Sequence, residues 1–300
     1  NATLGKDSQS GKSMDTPTAA SAEQTRLDFL GKAIGLTRPS RIVDVGANPI
    51  NDAPYKPLLD AGLCHVWGFE PHPGAFQNLE KTKSERESYF PHAVGTGNPG
   101  KLHIYGASGY TSTFEIREET LKLFGIAGGM TTLRKTLDIE TVTLDSLEAL
   151  PNVDLVKIDI QGGELAVFQH GRKKMSEAVA VVTEVAFVEL YHGEPVLGHV
   201  DLELRNQGFI LHRFLTQTSK VLESSQSKRF RAHTPFTKTQ ILDGDAVYIR
   251  DISRPELISS DQFRNLVLFA DTVFKSYDLA VYCLDRLQAR GELGAEVAKD

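Results

Sequence analysis

Only two cysteines, Cys64 and Cys283, occur among the 300 residues. Both stand in apolar surroundings and read as small core side chains, which argues against a disulfide framework and fits a reducing compartment. The nine histidines are scattered without zinc-ligand spacing. No run of about 18 apolar residues is present, which excludes a membrane-spanning helix. The N-terminal stretch has no hydrophobic segment of the secretory kind, and the expected location is cytoplasmic. A net charge of −6 gives no basic footprint for nucleic acid. The most basic run, Ser227-Lys228-Arg229-Phe230-Arg231, reads as a solvated loop. There is no internal repeat and no Gly-x-Ser-x-Gly nucleophile elbow.

What is present is an ordinary globular composition, 40% hydrophobic and 24% charged, sufficient for one large core. Residues 1–22 are rich in Ser, Thr, Ala and Lys and are expected to be a disordered tail. Residues 23–250 carry the strand and helix signals of an α/β domain, with 106–135 as a lid-like insertion rich in Gly, Ser and Thr. The polar stretch 216–243 reads as a connection between the last two strands, Phe209–Phe214 and Asp245–Arg250. Residues 251–300 are expected to form a helical extension, two helices over Ser260–Arg290 that cap the core or meet a second copy in a homodimer.

The chain is organised around Arg41-Ile42-Val43-Asp44-Val45-Gly46-Ala47-Asn48, an apolar β-branched run that ends in Asp, Gly and Asn. A second such run, His65–Phe69, ends in Glu70. Two more, Val153–Ile158 and Ala178–Thr183, end in Asp159 and Glu184. In open α/β sheets ligands bind outside the carboxyl ends of the strands, so four acids at such ends mark a ligand site. Glu70 is placed to accept hydrogen bonds from two ribose hydroxyls. Gly46 leaves room for close approach, while Asp44 and Asn48 orient the loop or receive a ligand ammonium. The loop has one glycine where a dinucleotide fingerprint has three, too few bare amides for a pyrophosphate. A nucleoside without phosphates, S-adenosylmethionine, is the expected ligand.

Taken in order, Asp44-Val45-Gly46-Ala47-Asn48, Gly68-Phe69-Glu70-Pro71, Val142–Leu147 and Leu155–Glu164 resemble the motifs of FkbM-type S-adenosylmethionine-dependent methyltransferases. Thr183-Glu184-Val185 and Tyr191-His192-Gly193 are similar to the later part of that pattern. The resemblance implies a Rossmann-like sheet of seven strands, the last antiparallel, with helices on both faces. It implies O-methylation of a hydroxyl on a sugar or secondary-metabolite acceptor, with S-adenosylhomocysteine as product. Asp44, Gly46, Ala47 and Asn48 would line the methionine end of the cofactor, Glu70 and Pro71 the ribose, Ala93 and Val94 the adenine, and Asp159 the methyl group. The expected catalytic candidates are Asp159, Glu184, Glu164 and His192, since an alcohol acceptor must lose its proton to a base. Clustered acids are chemically competent for Mg²⁺, yet no metal is expected. Two positions depart from the family: Pro49-Ile50-Asn51 follows Asn48 where a second glycine usually stands, and Gln161 stands where Glu is usual. They motivate one alternative, a non-catalytic S-adenosylmethionine-binding module. Against a second, a nucleotide-dependent oxidoreductase, stand the missing phosphate-binding glycines.

Overall fold

The computed structural model describes residues 19–48, 53–126, 128–227 and 238–294. The basic run at 228–231, the Pro49-Ile50-Asn51 segment and the expected tail as far as residue 18 lie outside the described residues. Helix α1 (Ala19–Ala33) begins inside the expected tail. Its first turn is Ala- and Ser-rich, and alanine favours helix without supplying the large apolar spacing by which the helix was sought.

Seven strands form the main sheet. They are β1 (Ser40–Val45), β2 (Cys64–Phe69), β3 (Glu87–Phe90), β7 (Leu155–Ile158), β8 (Ala180–Ala186), β9 (Phe209–Lys220) and β10 (Gln240–Arg250). Their order is β3-β2-β1-β7-β8-β10-β9, parallel from β3 to β8, with β10 antiparallel to both its neighbours. The last strand is therefore the reversed one, as expected. A smaller three-stranded sheet, β4 (Ala93–Val94), β6 (Leu133–Val142) and β5 (Pro99–Tyr105), stands beside it.

Strand alternation explains the two cores. Ile42, Leu155, Val182 and Val247 face one side; Val43, Val156, Val181 and Ala246 face the other. The second side is covered by α5 (Glu164–Gln169) and α6 (Leu197–Asn206) through Phe168, Val200 and Leu204. The first side is covered by α1, by α2 (Lys56–Asp60), and by two C-terminal helices, α7 (Ser260–Thr272) and α8 (Tyr277–Ala289). Two further helices, α3 (Pro73–Thr82) and α4 (Glu118–Leu123), follow β2 and lie in the insertion respectively.

The two expected C-terminal helices form and pack on the main core. Phe263, Leu266, Leu268 and Phe269 are fully buried in the same cluster as Leu27 and Ile42. A capping box starts α7: Ser259 Oγ accepts from the Gln262 amide at 3.2 Å, and Gln262 Oε1 accepts from the Ser259 amide at 2.8 Å. Ser40 Oγ at the start of β1 donates to Asn265 of α7 at 2.5 Å, and Arg264 Nε donates to the Ile34 carbonyl at 2.9 Å. Of the two expected roles of these helices, capping the core is the one their buried faces fill, while Tyr277 and Val281 of α8 remain exposed.

After α3 the chain pairs twice, with a break between: Glu87–Phe90 pairs with β2, while Ala93–Val94 crosses to the small sheet. Pro91, with a fixed φ and no amide to donate, stands at the break. Strands β9 and β10 run several residues into the stretch read as a connection, pairing Lys220 with Gln240. Thr216, Gln217, Thr218 and Ser219 pair as an outlying ladder, where hydropathy gives no signal because they cover no core.

If the C-terminal helices are part of the main core, Phe269→Ala will lower unfolding free energy by about 3–5 kcal/mol, the range for emptying a core aromatic site. Urea unfolding followed by circular dichroism measures it. A chain ending at 250 will show no cooperative transition; a sharp transition in that truncated chain would restore the appendage reading.

Candidate active site

The carboxyl ends of β1, β2, β7 and β8 come together at one edge of the sheet. Gly46 turns out of β1 with φ of +82°, a conformation open to glycine. A Cβ on it would lie 2.1 Å from the Asp159 carbonyl oxygen, so the two strand ends meet backbone to backbone. The amides of Gly46 and Ala47 both donate to the Phe69 carbonyl, at 2.9 and 3.1 Å, and the Asp159 amide donates to the Val45 carbonyl at 3.0 Å. This lattice ties three strand ends into one rim.

Asp44 is buried beneath that rim. Tyr55 donates its hydroxyl to Oδ2 at 2.6 Å; Lys157 Nζ lies 3.1 Å from Oδ1 as an ion pair, and Oδ1 accepts no hydrogen bond among the described residues. Burial opposes the Lys157 charge, but Asp44 and then Asp159 outweigh it and hold its pKa above the ordinary value. Through Tyr55, Asp44 ties the β1 end to the segment that follows it. Ala47 is buried beside it, and Asn48 is exposed at the edge of the described residues.

Glu70 is buried at 5% exposure just beyond β2. Its Oε1 accepts from the His72 amide at 2.7 Å; Oε2 has no partner among the described residues. Burial raises its pKa against the pull of that amide. Capping of α3 falls to His72, whose Nδ1 accepts from the Ala75 amide at 3.3 Å. Pro71 is half-buried between them. Beyond the strand ends, Phe69 stacks on Phe90 at 5.3 Å between centroids, and Phe90 on His92 at 6.4 Å. Ala93 and Val94 follow, and Val94 packs inside the core with Phe69 and Leu144. Ala93 is half-buried.

The acids diverge in role. Gln161 Nε2 donates to Asp159 Oδ1 at 2.9 Å and to Glu184 Oε2 at 2.5 Å, joining the two carboxylates. Burial first, then Asp159, Glu164, Asp243 and Asp245, push the Glu184 pKa well above the carboxylate range. Glu164 is placed differently: its oxygens accept from the Ile160 and Gly162 amides, each at 2.9 Å, so it holds the loop from the first residue of α5. His192 is exposed on a loop, and its ring makes no hydrogen bond among the described residues.

Several members of the site carry no strand-end signal. Asp243 and Asp245 reach it from β10, Asp245 directly opposite Glu184 in the register. Asp243 lies with Gln161, Glu184 and Tyr191 along an enclosed cavity. Tyr191 donates to Gln161 Oε1 at 3.3 Å, and Ser112 from the insertion donates to the Gln161 carbonyl at 2.5 Å. Glu194 accepts from the Leu190 and Tyr191 amides through Oε2, at 2.7 and 3.2 Å. Among the described residues no group of three or more His, Cys, Asp or Glu is arranged to hold a metal ion. None of their helices is long and apolar enough to cross a membrane.

Residues 44–211, more than half of the chain and all the groups just described up to β9, match the model of the methyltransferase FkbM domain. The protein belongs to that family. No curated protein matches the chain. Similar solved structures include the precorrin-6y C5,15-methyltransferase of Geobacter metallireducens, at 12% identity over 74% of this chain and 86% of that one, with a TM-score of 0.34. Another is the magnesium protoporphyrin IX methyltransferase of Synechocystis with bound S-adenosylmethionine, at 11% identity over 77% and 80%, with a TM-score of 0.31. Membership rests on the 44–211 match.

Burial holds the pKa of both Glu164 and Glu194 at about 7, above the ordinary 4.5. A folded-state pKa above the unfolded one means the fold binds the proton more tightly. The stability from it is complete below about pH 4.5 and lost as pH rises through about 7. For Glu194 the full span is roughly 3 kcal/mol at most. Glu194→Gln keeps an oxygen for the two amides and removes the ionisation. Its melting temperature will fall less than the parent's between about pH 5 and pH 8. Parallel slopes in thermal melts would show that Glu194 ionises freely in the fold.

Proposed function

We propose that this family member is an S-adenosylmethionine-dependent O-methyltransferase acting on a hydroxyl of a sugar or secondary-metabolite acceptor. The observation that carries the reading is the pairing, inside the family-matched segment, of Glu70 and Asp159 at strand ends on either side of β1. Glu70 offers a buried carboxylate with one oxygen unengaged, the group needed to take a ribose diol. The Gly46–Ala47 turn and the half-buried Pro71 flank it, and the Phe90–His92 stack presents an aromatic edge for a nucleobase. The residues present fit such a cofactor. When bound it supplies a methyl group activated on a sulfonium.

The chain's own part is alignment and proton removal. Asp159 stands at the rim with one oxygen held by Gln161, which leaves the other to accept the acceptor's hydroxyl proton. Glu184, joined to it, is pushed toward its protonated form by burial and its acidic neighbours, so Asp159 is the member of the pair read as the base. The rim carries Asp159, Glu184, Asp243 and Asp245 close together, a field that repels phosphates and favours a neutral or cationic small molecule.

Calorimetric titration with S-adenosylmethionine and S-adenosylhomocysteine tests the cofactor. Both will bind, and Glu70→Ala will weaken each by about ten- to a hundredfold, as expected for loss of a charged hydrogen-bond acceptor. Radiolabelled methyl transfer to a panel of hydroxylated sugars and polyketides tests the chemistry. Asp159→Ala will abolish transfer with cofactor affinity within a few-fold of the parent. Cofactor binding with no transfer to any hydroxyl would favour the binding-module reading; no binding of either compound would end both.

A further inference from the structure

We propose that Gln161 is a positioning residue: its carboxamide, held in a strained backbone, is the double donor that keeps Asp159 and Glu184 together as one pair without a cation between them.

The donor count fits one orientation of the amide. A carboxamide nitrogen has two hydrogens, and Gln161 Nε2 has two carboxylates within reach, at 2.9 and 2.5 Å. Its oxygen faces the Tyr191 hydroxyl at 3.3 Å. Turning the amide over would set Oε1 against both carboxylates and leave them without a donor. Tyr191 is itself buried, and its one hydroxyl hydrogen is shared between Gln161 Oε1 and the Tyr110 carbonyl at 3.1 Å.

The backbone shows a cost. Gln161 has φ of +59°, one of two non-glycine residues in the left-handed region among those described. A side chain there is disfavoured, and the glycine that follows would fit such a conformation freely. Ser112 holds the residue in place through its carbonyl at 2.5 Å. That bond is to the backbone and would survive loss of the side chain. The same turn sets the flanking Ile160 and Gly162 amides on Glu164 and aims the Gln161 carboxamide between the two acids.

Electrostatics defines the demand. Glu164 from α5, Asp243 and Asp245 from β10 and the Tyr191 hydroxyl all face Glu184, while Lys157 of β7 faces Asp159 and is already paired with Asp44. The pair therefore has acids around it and one uncharged donor between its members. A carboxylate at 161 would keep the shape, remove the donor and add a third negative charge in direct contact. One of the three would then have to hold a proton up to higher pH.

This inference deepens the reading of Asp159 as the acceptor-facing base and rests on it for its catalytic meaning. Its test needs neither cofactor nor acceptor, so the two can fail separately. Carboxyl-carbon NMR titration of the full chain, with Asp159→Asn and Glu184→Gln to assign the signals, reads the pair directly. In the parent, Glu184 will titrate above the ordinary carboxylate range. In Gln161→Glu the upper apparent pKa of the group will rise by about one pH unit or more. Gln161→Gly separates fold from function: its melting temperature will equal or exceed the parent's, because the strain is relieved, while the pair's upper pKa still rises for want of a donor. A Gln161→Gly protein that melts lower, with a pair that titrates like the parent's, would make Gln161 a structural residue and overturn the proposal. So would a Gln161→Glu pair with an unchanged titration.

Discussion

The arrangement depends on one close contact, the backbone of Gly46 against the carbonyl of Asp159. A Cβ at 46 would stand 2.1 Å from that oxygen. The carboxyl ends of β1 and β7 can therefore converge only because residue 46 has no side chain and its φ is positive. Sequence reading assigns that glycine to ligand approach. The structure gives it a prior duty within the protein itself. Once the ends converge, Asp159 stands beside the β1 loop, and Lys157, two residues back on the same face, reaches Asp44.

That convergence redistributes the charges. Tyr55 holds Oδ2 of Asp44 and Lys157 lies 3.1 Å from Oδ1, so the acid nearest the glycine turn becomes a brace. Lys157 is drawn first to Asp44 and only then to Asp159. Glu184, facing Asp245 across the antiparallel pair, shares a hydrogen bond with Gln161, and burial and its acidic neighbours push its pKa well above the carboxylate range. The acidity of the rim thus follows in part from where Lys157 went.

The apolar strands β1, β2, β7 and β8 were legible because burial on both faces leaves continuous β-branched runs, and the acids that close them were legible by position. Ordered motifs led to the family. What was hidden was set by tertiary contact. Asp243 and Asp245 sit in a polar stretch, and only antiparallel pairing brings them opposite Glu184. Glu164 and Glu184 look alike in sequence, but one turns back onto its own loop amides while the other meets Gln161. The α7 and α8 helices announce themselves by periodicity, yet periodicity names an apolar face without naming what covers it.

The insertion changes how the site must be viewed. Ser112 and Tyr110 bind the backbone–side-chain network of Gln161, and Tyr191 stands between them and the acids. The segment expected to be lid-like touches, through Ser112, the loop that follows Asp159. Displacing it would release the Gln161 carbonyl and, with it, the strained conformation that aims the carboxamide. The geometry of the acid pair is therefore coupled to the packing of residues some fifty positions away in sequence. Variation in that insertion, where an acceptor pocket would be shaped, acts on the chemistry as well as on the choice of acceptor.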